Sequence, residues 1–114
     1  MLQKYPQAAV RVFAVWEPIL DTDTARPGTV ALAKLGDRRV LQFWDPDHRV
    51  AHQLERTEAA ANLHPRCCVS DGFLWDLVAV FPPGERWDDA PPRPSVFNGT
   101  VVKTAPELEA ALGR

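Results

Sequence analysis

The chain holds two cysteines, and they stand side by side at Cys67-Cys68. Adjacent cysteines can close into a vicinal disulfide, whose small ring strains the intervening peptide and makes the bond reducible, so it suits a switch better than a staple. In a cytosolic setting thiols stay reduced, and two reduced thiols in a loop or at its buried edge are the state the sequence favours. His64 lies three residues before Cys67, where an imidazolium would stabilise a thiolate. His48 and His52 are four residues apart, which on a helix puts both rings on one face as a metal chelate requires. Further ligands would have to come from Asp45, His64 or the cysteines, and no spacing points to them, so two solvent-facing histidines and no metal are expected.

Carboxylates and aromatic rings form a second group. Trp16-Glu17 and Trp44-Asp45 each end an apolar run. If those runs are parallel strands, both pairs gather at the edge where open α/β sheets bind ligands. Otherwise the tryptophans close the core and Asp45 only caps a helix. Asp76 sits inside the apolar run FLWDLVAVF, where an acid is costly unless paired, and Arg11 or Arg39 on neighbouring strands are its candidate partners. Glycine-rich phosphate loops, paired acids at recognisable spacing and serine-nucleophile elbows are absent from the sequence.

The elements that position these residues follow from periodicity. Residues 10–16 (VRVFAVW) are apolar on both alternating faces, which predicts an internal strand. Residues 21–24 (DTDT) supply capping side chains before a short helix over VALAKL that stops at Gly36. Residues 39–44 (RVLQFW) are a second strand. Asp45-Pro46 then opens a helix, with Asp as N-cap and Pro in the first turn. Val50, Ala51 and Leu54 form the apolar face of that helix up to about Arg56, and Pro65 ends any continuation through residues 57–66. CCVSDG is a loop with a turn at Asp71-Gly72, and residues 73–81 (FLWDLVAVF) form the strongest strand, expected centrally in the sheet. The segment PPGERWDDAPPRP is too rich in proline for regular pairing. Asn98-Gly99 between SVF and TVV predicts a hairpin with a type I′ turn, and Thr104 with Glu107 forms a capping box for a last helix through Leu108, Ala111 and Leu112. Strand–helix–strand units impose parallel pairing, and the hairpin adds an antiparallel edge.

The chain has 114 residues, 46% hydrophobic and 25% charged, which predicts one globular domain over residues 1–114 with its own core. A net charge of −2 with basic residues scattered singly disfavours nucleic acid as a partner. Arg11 interrupts the first apolar stretch, so no signal peptide is expected. No run reaches the roughly 20 apolar residues of a membrane helix. A soluble, cytoplasmic protein without a cofactor is expected.

A first strand ending in Trp16, a second helix opened by Asp45-Pro46-Asp47, and the PSVFNGTVV segment before a closing helix resemble the thioredoxin-like superfamily. The resemblance covers most of the chain. It implies an α/β fold, a thioredoxin-like mixed sheet with helices on both faces and a C-terminal hairpin plus helix. It also implies a shallow groove over residues 16–24, including Trp16, Glu17 and Asp21, with Trp44 beside it and Pro94 as a cis-proline facing it. In that family a Cys-x-x-Cys motif opens the helix after the first strand, and here that region is EPILDTDT, without cysteine. The expectation is therefore a non-catalytic thioredoxin-like module that binds or scaffolds a protein or peptide. The alternatives are a noncanonical thiol redox protein or sensor using Cys67 and Cys68, and a metal carrier built on the histidines and cysteines.

Overall fold

The computed structural model describes residues 1–19, 25–70 and 73–113. It is a small mixed α/β structure whose chain divides into two compact units, Met1–Val50 and Ala51–Arg114. Among the described residues no helix is long and apolar enough to cross a membrane.

The first unit is built on two parallel strands, β1 (Val12–Trp16) and β2 (Val40–Trp44), paired in register from Val12 opposite Val40 to Trp16 opposite Trp44. Parallel neighbours need a crossover, and the short helix α1 (Thr29–Ala33) lies within it. One side-chain amide ties the crossover to the strands: Gln42 Nε2–H donates to the Leu32 carbonyl at 2.9 Å, and Gln42 Oε1 accepts from the Trp16 indole N–H at 2.9 Å. Arg39, at the start of β2, gathers the N-terminal segment. Its guanidinium donates to the carbonyls of Leu2, Tyr5 and Ala8 and to both oxygens of Asp37. Charge-assisted bonds of this kind are about twice as strong as neutral ones, so one side chain gathers three carbonyls of that segment. Strand β1 is not covered on both sides as its two-sided apolar pattern predicted. Val12, Ala14 and Trp16 are half-buried, whereas Phe13 is 58% exposed and lies 6.1 Å from the ring of Phe43, itself 50% exposed.

Helix α2 (Arg49–Ala61) starts three residues later than Asp45-Pro46 predicts. His48 takes a left-handed conformation, φ 56°, which breaks the helical path before Arg49. The capping chemistry survives the shift, because the Asp45 carboxylate accepts from the N–H groups of Arg49 (3.0 Å) and Val50 (2.9 Å). The helix runs past Arg56 to Ala61 and ends at Asn62, whose φ of 54° is the left-handed exit that asparagine tolerates.

The second unit contains two antiparallel pairs. The short strands β3 (Val69–Ser70) and β4 (Phe73–Leu74) flank the turn predicted at Asp71-Gly72, which lies outside the described residues. Strand β5 (Leu77–Val80) pairs with β6 (Val96–Gly99), Leu77 opposite Gly99 and Val80 opposite Val96, and α3 (Val101–Leu112) packs on both. Trp87 anchors the proline-rich connection, its ring 6.4 Å from Phe81 and its indole N–H on Gln53 Oε1 at 3.1 Å.

Three expectations are corrected here. The run FLWDLVAVF is not one central strand: it breaks between β4 and β5, where Asp76 has φ 48° and is exposed. Leaving the strand spares the carboxylate an unpaired burial, and it accepts the Val101 N–H at 3.1 Å instead of pairing with Arg11 or Arg39. The Asn98-Gly99 hairpin is absent, since both residues belong to β6 and only Thr100 separates Gly99 from α3. Thr104 consequently lies inside α3 rather than capping it, fully buried, its hydroxyl donating to the Thr100 carbonyl at 2.8 Å. Finally, the described strands pair as three two-stranded sheets, one parallel and two antiparallel, and not as a single mixed sheet.

Candidate functional site

After α2 the chain reaches Arg66, Cys67 and Cys68 through Pro65, which cannot continue a helix. Cys67 and Cys68 are joined by a vicinal disulfide, contrary to the reduced thiols that the sequence favours. Cys68 is buried, 6% exposed, while Cys67 is half-buried. The backbone of Cys68 has φ 78°, a left-handed conformation that costs a non-glycine residue about 1–2 kcal/mol. Its carbonyl accepts the Trp75 N–H at 3.1 Å, which carries the β3–β4 ladder back to the cysteines.

Gly99 forms the floor under the pair. A β-carbon at this position would stand 3.0 Å from Cys68 Sγ, 3.2 Å from Cys67 Sγ and 2.8 Å from the Asp76 carbonyl oxygen. Only a residue without a side chain allows that approach. Two non-glycine residues in left-handed conformations, Cys68 and Asp76, thus meet the disulfide at one glycine. Sparsely populated backbone of this kind gathers at sites where the surroundings over-determine it, and functional sites are the common case.

Arg66 ties the cysteine segment to the junction of β6 and α3. Its backbone N–H donates to Asn98 Oδ1 at 2.8 Å, and its guanidinium donates to the Gly99 carbonyl (3.3 Å), Thr104 Oγ1 (3.2 Å) and Glu107 Oε1 (2.8 Å). Asn98 Oδ1 also accepts the Gly99 N–H at 3.1 Å, and Asn98 Nδ2 reaches both oxygens of Glu107 at 3.4 Å. The Arg66 guanidinium, helped by the Asn98 amide, holds the Glu107 carboxyl below the usual glutamate range against the opposing effect of desolvation. Glu107 in turn offsets the positive charge next to Cys67. His64 is exposed, and no hydrogen bond or ion pair among the described residues joins it to Cys67.

At the other predicted site, Trp16 and Trp44 do stand opposite each other at the carboxyl ends of β1 and β2, and the Asp45 N–H continues the pairing to the Trp16 carbonyl at 2.7 Å. Glu17 Oε2 lies 2.8 Å from His48 Nδ1, an ion pair whenever the imidazole is protonated. That contact takes His48 out of the solvent-facing position expected for it, and because His48 precedes α2 only His52 lies on the helix. Among the described residues no three His, Cys, Asp or Glu side chains converge on a point that could hold a metal ion. Asp21 lies outside the described residues. Pro94 is buried two residues before β6, and its peptide is trans, the cis peptide among the described residues being Gly99-Thr100. A shallow hollow of the first unit is lined by Val10, Arg11, Arg38, Arg39 and Leu41, at the end of β1–β2 away from the tryptophans.

No protein-family model, curated protein or solved structure matches the chain. Sequence reasoning singled out the cysteines but missed Arg66, Asn98, Gly99, Thr104 and Glu107 as their surroundings. Asn98-Gly99 and Thr104-x-x-Glu107 each carry a strong local signal, for a turn and for a cap, and those signals point away from a tertiary role.

Proposed function

We propose that the chain is a redox-responsive thiol–disulfide module, with Cys67 and Cys68 as its redox pair. The observation that carries the reading is the convergence of both sulfurs, the left-handed Cys68 and Asp76, and the bare Gly99 at one point. The pair exchanges two electrons and two protons with an external dithiol: the donor becomes a disulfide, and Cys67 and Cys68 become thiols. Glu107 compensates Arg66, the cation bound into the site among the described residues, so the thiols lack the electropositive setting that makes a fast nucleophile. A switch that follows the surrounding thiol–disulfide balance fits these surroundings better than a turning-over reductase.

The test is a redox titration of the whole protein in mixtures of reduced and oxidised dithiothreitol, with free thiols counted after acid quench. A reversible transition between no thiols and two, in folded protein, is expected. A pair that forms no disulfide at any ratio while the chain is folded overturns the reading.

A second reading, a module that binds a protein or peptide, is favoured by one observation: Trp16 and Trp44 are directly paired at the strand ends, with the Glu17–His48 contact beside them. Peptide-library selection tests it. Peptides retained by the native chain and lost on Trp44→Ala support this reading, and a selection that yields none removes it.

A further inference from the structure

We infer that the two sulfurs of the redox pair are not equivalent: Cys67 Sγ is the sulfur that an external thiol attacks, and Cys68 Sγ is the leaving and resolving sulfur. This assignment rests on the thiol–disulfide reading above and adds an order of events to it.

Burial is the first ground. Thiol–disulfide exchange requires a thiolate to approach one sulfur along the S–S axis from the side opposite the other sulfur, so the rate depends on which sulfur can be reached. Cys68 is 6% exposed and Cys67 is half-buried. Anchoring is the second. The Cys68 carbonyl is bound by the Trp75 N–H, and Cys68 Sγ makes the tighter approach to Gly99 of the two sulfurs. The backbone of Cys67 follows Arg66, whose hydrogen bonds run to β6 and α3, and Cys67 keeps the greater exposure of the two cysteines. An attacking thiol therefore meets Cys67 first, and Cys68 stays seated on Gly99 throughout.

The exchange balances as follows. A glutathione thiolate bonds to Cys67 Sγ, the Cys67–Cys68 bond breaks, and its electron pair passes to Cys68 Sγ, which takes a proton from water. A second glutathione thiolate then attacks the glutathione sulfur of the mixed disulfide, releasing Cys67 as a thiolate that is protonated in turn. Two glutathiones are oxidised to one glutathione disulfide, and the cysteine pair is reduced to two thiols.

The experiment uses the whole oxidised protein, exposed briefly to glutathione, quenched with N-ethylmaleimide, and mapped by tandem mass spectrometry that fragments between residues 67 and 68. The mixed disulfide is expected with glutathione on Cys67 and maleimide on Cys68, in excess over the reverse pattern by roughly tenfold or more. A reverse or even distribution overturns the assignment and leaves the redox reading standing. Complete resistance of the folded disulfide to glutathione and to dithiothreitol overturns both. Single variants give an independent measure: Cys68→Ser should form a mixed disulfide with glutathione disulfide roughly tenfold faster than Cys67→Ser, and equal rates in two folded variants count against the assignment.

Discussion

Gly99 lies directly beneath Cys68, so close that a β-carbon added to it would stand 3.0 Å from Cys68 Sγ and 2.8 Å from the carbonyl oxygen of Asp76. The second contact is with backbone, which cannot swing aside as a side-chain tip can. Gly99→Ala is therefore expected to destabilise the protein by about 1–3 kcal/mol, the usual cost of overpacking a fitted site. Urea unfolding of the oxidised protein measures it. An unchanged midpoint at unchanged slope would show that the close approach is not present in solution.

Acid should act on the Arg66 cluster before it acts on the Arg39 cluster. Glu107 titrates below its ordinary range because Arg66 and Asn98 bind the charged form. A depressed folded value means that the stabilisation is complete above the unfolded value of about 4.3 and is lost as pH falls through the lower folded value. Asp37 is held far below the carboxylate range, chiefly by its bonds to the Arg39 side chain and backbone N–H, and keeps its charge into stronger acid. Unfolding midpoints measured from pH 6 downward should fall less steeply for Glu107→Gln than for the native chain once pH drops below about 4.3. The contribution is small because both partners are well exposed, 46% and 38%. Parallel curves would remove Glu107 from the site.

Asp45 tests how α2 begins. Its two oxygens satisfy the N–H groups of Arg49 and Val50, and the residue is only 8% exposed. Asp45→Ala should cost about 1–2 kcal/mol, in the upper part of the range for lost helix caps because the freed groups are shielded from water. Asp45→Asn keeps one acceptor and should recover part of the loss. Chemical denaturation of the three proteins decides this, and an Ala variant as stable as the native chain would contradict the capping role.

What was legible in the sequence was local. The two strands of the first unit follow from their apolar runs, α2 from its periodicity, and the cap at Asp45 from residue type and position. That Trp16 and Trp44 would end neighbouring strands at the same edge was also foreseeable, since a helix between two strands imposes parallel pairing, whereas their exact register was not. Where the reading failed, a tertiary contact had outbid a local preference. Asp76 interrupts an otherwise convincing strand because its carboxylate serves the first N–H of α3, twenty-five residues away. Thr104 looks like a cap and is instead a buried helix residue holding Arg66. His48 and His52 share a helical spacing, but a left-handed residue at 48 takes the first of them off the helix. None of these partners has a periodic or compositional signal, because each is set by where two distant segments meet.

Asn98 separates the two accounts most sharply. In a type I′ turn, Asn98→Gly would be close to neutral, since glycine adopts positive φ at no steric cost. Within β6 the same change deletes the acceptor shared by the Arg66 and Gly99 N–H groups and the amide that binds Glu107. It also places a flexible glycine next to Gly99 in a strand. A loss of about 1–3 kcal/mol is expected from unpaired donors alone, toward the lower end because the Arg66 contact is exposed. Asn98→Asp provides the control. It keeps the shared acceptor but sets a second carboxylate against Glu107, so it should be less stable than the native chain at pH 7, and the difference should shrink as pH falls below about 4 and the two acids protonate. Denaturant titrations of both variants at the two pH values make the comparison. A neutral glycine variant would restore the hairpin and detach Asn98 from the cysteine site.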